Sequence, residues 1–85
     1  MNELRKERLQ HEGLLGEKER QARSLRLKCE SLRDAIRSTL DPFEPIEELN
    51  IEAALESMNE LFSLYVKLLE ELGDIKNIKK ALGRG

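Results

Sequence analysis

The chain has very few aromatic residues and almost no cysteine or histidine. Its 85 residues include no Trp, one Tyr, two Phe, one Cys and one His. Small β-sandwiches and barrels depend on β-branched and aromatic residues, so this composition excludes an all-β domain. One Cys excludes a disulfide framework, and one Cys with one His cannot build a structural zinc site from this chain alone. We therefore expect a fold that is held together by aliphatic packing, with no metal and no cofactor.

Long uncharged segments are also missing. The most apolar stretch, residues 61–69, is interrupted by Ser63 and Lys67. It is far shorter than the roughly 18 uncharged residues that a transmembrane helix needs. The N-terminus lacks the basic-then-apolar pattern of a signal peptide. We therefore expect no membrane association and a cytoplasmic location.

Catalytic chemistry has few candidate residues. His11 and Cys29 are the single imidazole and the single thiol, and 18 residues on one helix place them roughly 27 Å apart, too far for a Cys–His pair. The acidic row of Glu52, Glu56 and Glu60 is better explained as a solvated helix face than as a metal site. The sequence has no Gly-rich phosphate loop and no Ser–His–Asp set. We predict that the chain is not an enzyme and has no catalytic residues.

Proline is confined to one short segment, and this placement divides the chain. Both prolines lie in residues 41–50, and charged residues make up 38% of a sequence rich in Leu, Glu, Arg, Lys and Ala, as in long helices and coiled coils. The sequence predicts one all-α domain over residues 1–85, an antiparallel, coiled-coil-like helical hairpin that assembles into a helical bundle. The predicted elements are helix 1 at about 3–40, a proline-containing connection at 41–50, helix 2 at about 51–72 and a short third helix at about 74–82.

Helix 1 is predicted from positions that repeat at alternating spacings of three and four over residues 4–39. This stripe is consistently apolar over residues 22–36, whereas Arg8, His11 and Lys18 occupy stripe positions where burial is costly unless they snorkel or pair. Gly13 and Gly16 each weaken a helix by roughly 1 kcal/mol. The sequence leaves open whether helix 1 is continuous through them.

Helix 2 carries two neighbouring apolar stripes, which together cover more of the helix than one partner helix requires. Replacing Phe62 or Leu69, which we expect in the core, by Ala should destabilise the fold by roughly 2–5 kcal/mol. The main stripe contains Ile51, Leu55, Met58, Phe62, Tyr65, Leu69 and Leu72, and its neighbour contains Ala54, Leu61 and Leu68.

The ends of helix 2 are predicted from capping residues. Asn50 is a good N-cap, but Asp41 followed by Pro42 is a competing start, so residues 42–49 are left open as a separate helical turn. Gly73 suits a left-handed cap at the other end, followed by the third helix. Three apolar residues of the connection are expected to cover the end of the bundle. They are Phe43, Ile46 and Leu49.

Charge is segregated along the chain. Residues 1–40 contain ten basic and seven acidic residues, residues 41–72 one basic and nine acidic, and residues 73–85 four basic and one acidic. The segments therefore carry net charges of +3, −8 and +3. We interpret this as helices 1 and 2 lying side by side with complementary charge.

A chain this small, without disulfide or metal, rarely gathers enough core on its own. We therefore predict a homodimer in which two hairpins form a four-helix arrangement. The candidate interface residues are Leu25, Cys29, Leu32, Leu61 and Leu68.

The function predicted from these features is a non-enzymatic protein–protein interaction or assembly module that acts by coiled-coil packing. Its expected partner is a second copy or another helical protein. A further interpretation is that the chain is a piece of a larger coiled-coil assembly. The alternative is a small nucleic-acid accessory protein that uses basic faces of helix 1 and the tail, although interleaved acids argue against it. The candidate phosphate-binding residues in that case are Lys76, Lys79, Lys80 and Arg84.

Overall fold

The protein is an antiparallel pair of long helices. The computed structural model describes residues 2–83. Helix α1 spans Asn2–Thr39 and helix α2 spans Ile51–Ala81, and no strand occurs within the part of the chain that is described. The pair measures 68 × 17 × 14 Å. The predicted all-α hairpin is confirmed.

Helix α1 is continuous through both of its glycines. A Cβ atom added at Gly13 would meet nothing within 4 Å, and one at Gly16 would meet only the end of the Arg20 side chain. The absence of side chains there is therefore not required by packing. The predicted apolar stripe does face α2, with Leu15 and Ala22 buried at its centre.

Helix α2 runs without a break to Ala81, so the predicted third helix at 74–82 is wrong as a separate element. Gly73 costs roughly 1 kcal/mol inside a helix, but each aliphatic side chain that the continued helix buries contributes about 1.5–3 kcal/mol. The left-handed glycine is Gly83, with φ +75°. The aliphatic residues buried after Gly73 are Ile75, Ile78 and Leu82.

The connection begins and ends with side-chain caps. The carboxylate of Asp41 accepts a hydrogen bond from the Phe43 backbone N–H at 2.9 Å, which closes a turn directly after α1. The amide oxygen of Asn50 accepts from the Ala53 N–H at 3.0 Å, so the predicted N-cap of α2 is confirmed. Between them lies a single turn of 3-10 helix at Ile46–Glu48, which is the separate helical turn that the sequence had left open.

The apolar residues of the connection do not all cover the end of the hairpin as expected. Phe43 is 94% exposed and Ile46 is 75% exposed, whereas Leu49 is half-buried. The end of a two-helix hairpin is too narrow for all three side chains to pack against it. The prediction is therefore wrong for Phe43 and Ile46.

The face of α2 that packs against α1 is not the stripe with the largest residues. Phe62 is 64% exposed and Leu69 is 49% exposed, so the prediction that both lie in the core of this chain is wrong. The neighbouring stripe, which we call the inner face, contacts α1 instead. Its members, all buried or half-buried, are Ala54, Ser57, Leu61, Leu64, Leu68, Glu71, Ile75, Ile78 and Leu82.

Candidate interaction surface

A row of large apolar side chains on α2 is largely exposed in the described part of the chain. We call this row the outer face. Its residues recur at spacings of three and four, so they lie along one side of the helix next to the inner face. The outer face consists of Ile51 (56% exposed), Leu55 (60%), Met58 (52%), Phe62 (64%), Tyr65 (49%), Val66 (38%) and Leu69 (49%).

The outer face is as large as a protein interface. Seven large side chains, each about half exposed, present an apolar area on the order of 700 Å², close to the roughly 800 Å² that each partner buries in a standard protein–protein interface. Monomeric proteins rarely expose a continuous apolar patch of this size. The outer face is therefore the main candidate functional site.

The chain as a whole also exposes more surface than a folded monomer of its mass. Its accessible surface is 6928 Å², whereas about 5,200 Å² is expected for 9.8 kDa. Its radius of gyration is 19.1 Å, against about 12 Å for a compact domain of this length. No described side chain is less than 2% exposed. The hairpin thus has only a small core.

Charge divides the surface between the two ends of the hairpin. The end at the connection, residues 41–56, contains six acidic residues and no basic one. At the opposite end, α2 continues the spacing of the outer face with Lys76 and Lys79, and Lys80 follows them; all three are exposed. Glu70 and Asp74 are also exposed near this end, and Asp74 is paired with Lys18. The outer face is therefore bordered by negative charge at one end and positive charge at the other.

Lys18 makes an ionic contact between the two helices. Its Nζ atom donates to Asp74 Oδ2 at 3.1 Å and to Glu71 Oε1 at 3.3 Å. The side chains of Lys18 and Glu71 are 23% and 19% exposed. The hydrogen bond to Asp74, and then the one to Glu71, raise the pKa of the Lys18 ammonium, against a smaller opposing effect of desolvation. Lys18 thus obtains the partners that its position on the apolar stripe requires.

The interhelical ion pairs recorded among residues 5–83 are fewer than the predicted charge complementarity of the two helices suggests. Among residues 5–83, the two interhelical ion pairs that the structure records both belong to Lys18. Arg33 pairs instead with its sequence neighbour Asp34, and both side chains are about 60% exposed. The acidic row of Glu52, Glu56 and Glu60 is exposed. Most charges of the two helices therefore remain in solvent rather than across the contact.

The interface residues predicted from the sequence lie between the two helices of one chain. All five are half-buried, on the stripe of α1 that faces α2 or on the inner face of α2. They are brought together, but their exposed area is small compared with that of the outer face. They are Leu25, Cys29, Leu32, Leu61 and Leu68.

The candidate phosphate-binding lysines are exposed and close together near the end of α2. Arg84, the fourth candidate, lies outside the described residues. Arg5, Lys6 and Arg8 of α1 are exposed near the same end of the hairpin. This end is accessible, and among the described residues no aromatic side chain accompanies the lysines there.

Metal and membrane sites are not evident in the described part of the chain. No group of three or more His, Cys, Asp or Glu side chains is arranged to hold a metal ion there. Neither described helix contains an apolar stretch long enough to cross a bilayer. Comparison with protein-family models, with curated proteins and with solved structures finds no match to this chain. Functional inference therefore depends on the geometry of the hairpin.

Proposed function

We propose that this chain is a non-enzymatic protein–protein interaction module that works in the cytoplasm by coiled-coil-like packing of helices. The observation that carries the proposal is the exposed outer face of α2, with Phe62 64% and Leu55 60% exposed. Apolar side chains at spacings of three and four are suited to packing between the side chains of another helix. Self-association as a dimer, expected from the sequence, is the form of binding that we favour.

Site-specific photo-crosslinking tests this function in the cells that naturally express the protein. A benzophenone amino acid replaces Tyr65 on the outer face, and the control carries it at Leu27, which is 59% exposed on α1. We expect covalent protein adducts, with a second copy or another protein, from position 65 in clear excess over position 27. Equal yields from the two positions, or none from either, would contradict the proposal.

The nucleic-acid alternative is tested separately. An elution shift with duplex DNA at low salt that disappears by about 200 mM salt would favour phosphate binding. Loss of that shift in a variant with Lys76, Lys79 and Lys80 changed to Ser would assign it to the end of α2. We expect no shift, because interleaved acids and the lack of stacking aromatics disfavour a nucleic-acid site.

A further inference from the structure

We propose that the outer face of α2 binds the outer face of a second copy of this chain, with the two α2 helices antiparallel. This inference rests on the proposed function and names its partner. It follows from three properties of the outer face, namely its shape, the order of its residues and the charges at its two ends.

The shape of the outer face calls for a partner helix with a similar apolar stripe. The stripe runs from Ile51 to Leu69, which is about 27 Å at 1.5 Å per residue. A partner must therefore supply an exposed apolar helix face of about the same length. The chain itself presents such a face, and a two-fold axis allows the same surface to serve on both sides.

The order of residues suits antiparallel packing. In an antiparallel pair centred midway between Met58 and Phe62, residues equally distant from the centre lie side by side. Met58 of one copy then lies beside Phe62 of the other, and Leu55 beside Tyr65. Each of these layers combines an aromatic ring with a slimmer side chain, as interdigitated packing requires. The remaining layer places Ile51 of one copy beside Leu69 of the other.

Charge selects this orientation over the parallel one. A parallel pair would place the six acids of residues 41–56 beside the same six acids of the second copy, and Lys76 and Lys79 beside their own copies. Like charges gathered at the same end of the complex disfavour it. In the antiparallel pair these lysines lie near the acidic end of the other copy, where opposite charges attract. The two ends of one outer face are therefore complementary to each other.

Distances between spin labels test the proposal. In full-length protein with Cys29→Ala, a single label is attached at Ser63→Cys or at Asn77→Cys. Both positions are exposed and, two heptads apart, lie on one side of α2. In the antiparallel dimer we expect about 20–25 Å between the two Ser63 labels and more than about 50 Å between the two Asn77 labels. Equal distances at the two positions would mean a parallel pair and would overturn the proposal.

A matched pair of variants tests which surface makes the contact. Leu55 and Leu27 are 60% and 59% exposed, so Leu55→Glu and Leu27→Glu introduce the same change at equally exposed positions. Sedimentation equilibrium of the unlabelled wild type should give twice the chain mass of 9.8 kDa. We expect Leu55→Glu to weaken the dimer at least tenfold and Leu27→Glu to change its dissociation constant less than threefold.

The remaining outcomes separate this inference from the function on which it rests. A dimer that Leu55→Glu leaves intact would overturn the inference, because the outer face would not be the contact between the two copies; crosslinking from Tyr65 would still decide the interaction function. A wild-type monomer at one hundred micromolar would overturn the inference. If Tyr65 then crosslinks to a different protein, the interaction function stands and its partner is not a second copy. If neither variant changes the mass of the dimer while the label distances are as expected, Leu55 is not at the contact.

Discussion

The two halves of the hairpin differ in how much of their apolar surface the chain buries. In the open half, where the ends of α1 and α2 lie side by side, Leu15 and Ala22 pack with the last buried residues of α2 in one cluster. In the half next to the connection, Ala54 is the single buried residue among those described. The largest side chains of α2 in that half, Phe62 among them, lie on the outer face instead.

This difference indicates which part of the fold is self-sufficient. The open half has its own small core, and its helices also meet through Lys18. The half next to the connection has more apolar residues, but the largest of those on α2 are exposed on the outer face. The half next to the connection therefore has few buried contacts of its own, whereas the open half holds the two helices together through its buried cluster.

The largest expected effect is at Ile78, which is 8% exposed in the open half. Ile78→Ala removes buried methylene groups and leaves a cavity, so we expect a loss of roughly 2–4 kcal/mol in the free energy of unfolding. Ile51, 56% exposed on the outer face, offers the same substitution as a control. Urea denaturation followed by circular dichroism, at a concentration where the chain is monomeric, measures both. If Ile51→Ala costs as much as Ile78→Ala in the monomer, the two halves do not differ as described.

Hydrogen exchange of the backbone amides measures the stability of the two parts of α2 separately. We expect the amides of residues 54–66 to exchange at least about tenfold faster than those of residues 75–81 when the chain is monomeric, because fewer buried contacts hold that part of α2 in place. Raising the protein concentration should slow exchange in residues 54–66 more than in residues 75–81. Uniform protection along α2 at every concentration would contradict this prediction.

The smallest expected effect concerns pH. The pKa of Lys18 is raised above its ordinary value of 10.5, so the folded chain holds this proton more tightly than the unfolded chain does. Its contribution to stability is complete below the unfolded-state pKa and is lost as pH rises through the higher folded-state value. The melting temperature of Lys18→Met should therefore decrease less with rising alkaline pH than that of the wild type. Lys80→Met, which removes an exposed lysine outside this ion-pair site, should leave that fall unchanged.

The course of α1 and the start of α2 could be predicted because local signals and packing agree there. The regular spacing along α1 continues in phase across Gly13 and Gly16, and the structure keeps one helix. Asn50 precedes an apolar run and caps it. In both places the outcome depends on local chemistry: the two glycines weaken α1 without ending it, and the Asn50 side chain caps the first turn of α2.

The packed face of α2 was predicted wrongly for a reason that involves Gly73. Ending α2 at that glycine leaves the inner face with three prominent apolar residues, so the stripe of Phe62 and Leu69 looks like the core. Once α2 continues, the inner face gains three buried aliphatic side chains beyond Gly73, while the outer face ends in Lys76 and Lys79. The apolar residues contributed beyond the glycine decide which stripe packs on α1. Spacing within a shorter helix cannot show this.

The cluster of Lys18, Glu71 and Asp74 also fixes the alignment of the two helices along their length. The packed stripes repeat every seven residues, so sliding one helix by seven positions would preserve most of the apolar contacts. Such a slide would place the Lys18 ammonium beside Leu64 or Ile78, both on the inner face, and would remove it from its carboxylate partners. A buried charge without a partner is costly, and polar residues in apolar stripes are known to specify alignment in this way. One lysine therefore distinguishes the native hairpin from its shifted copies.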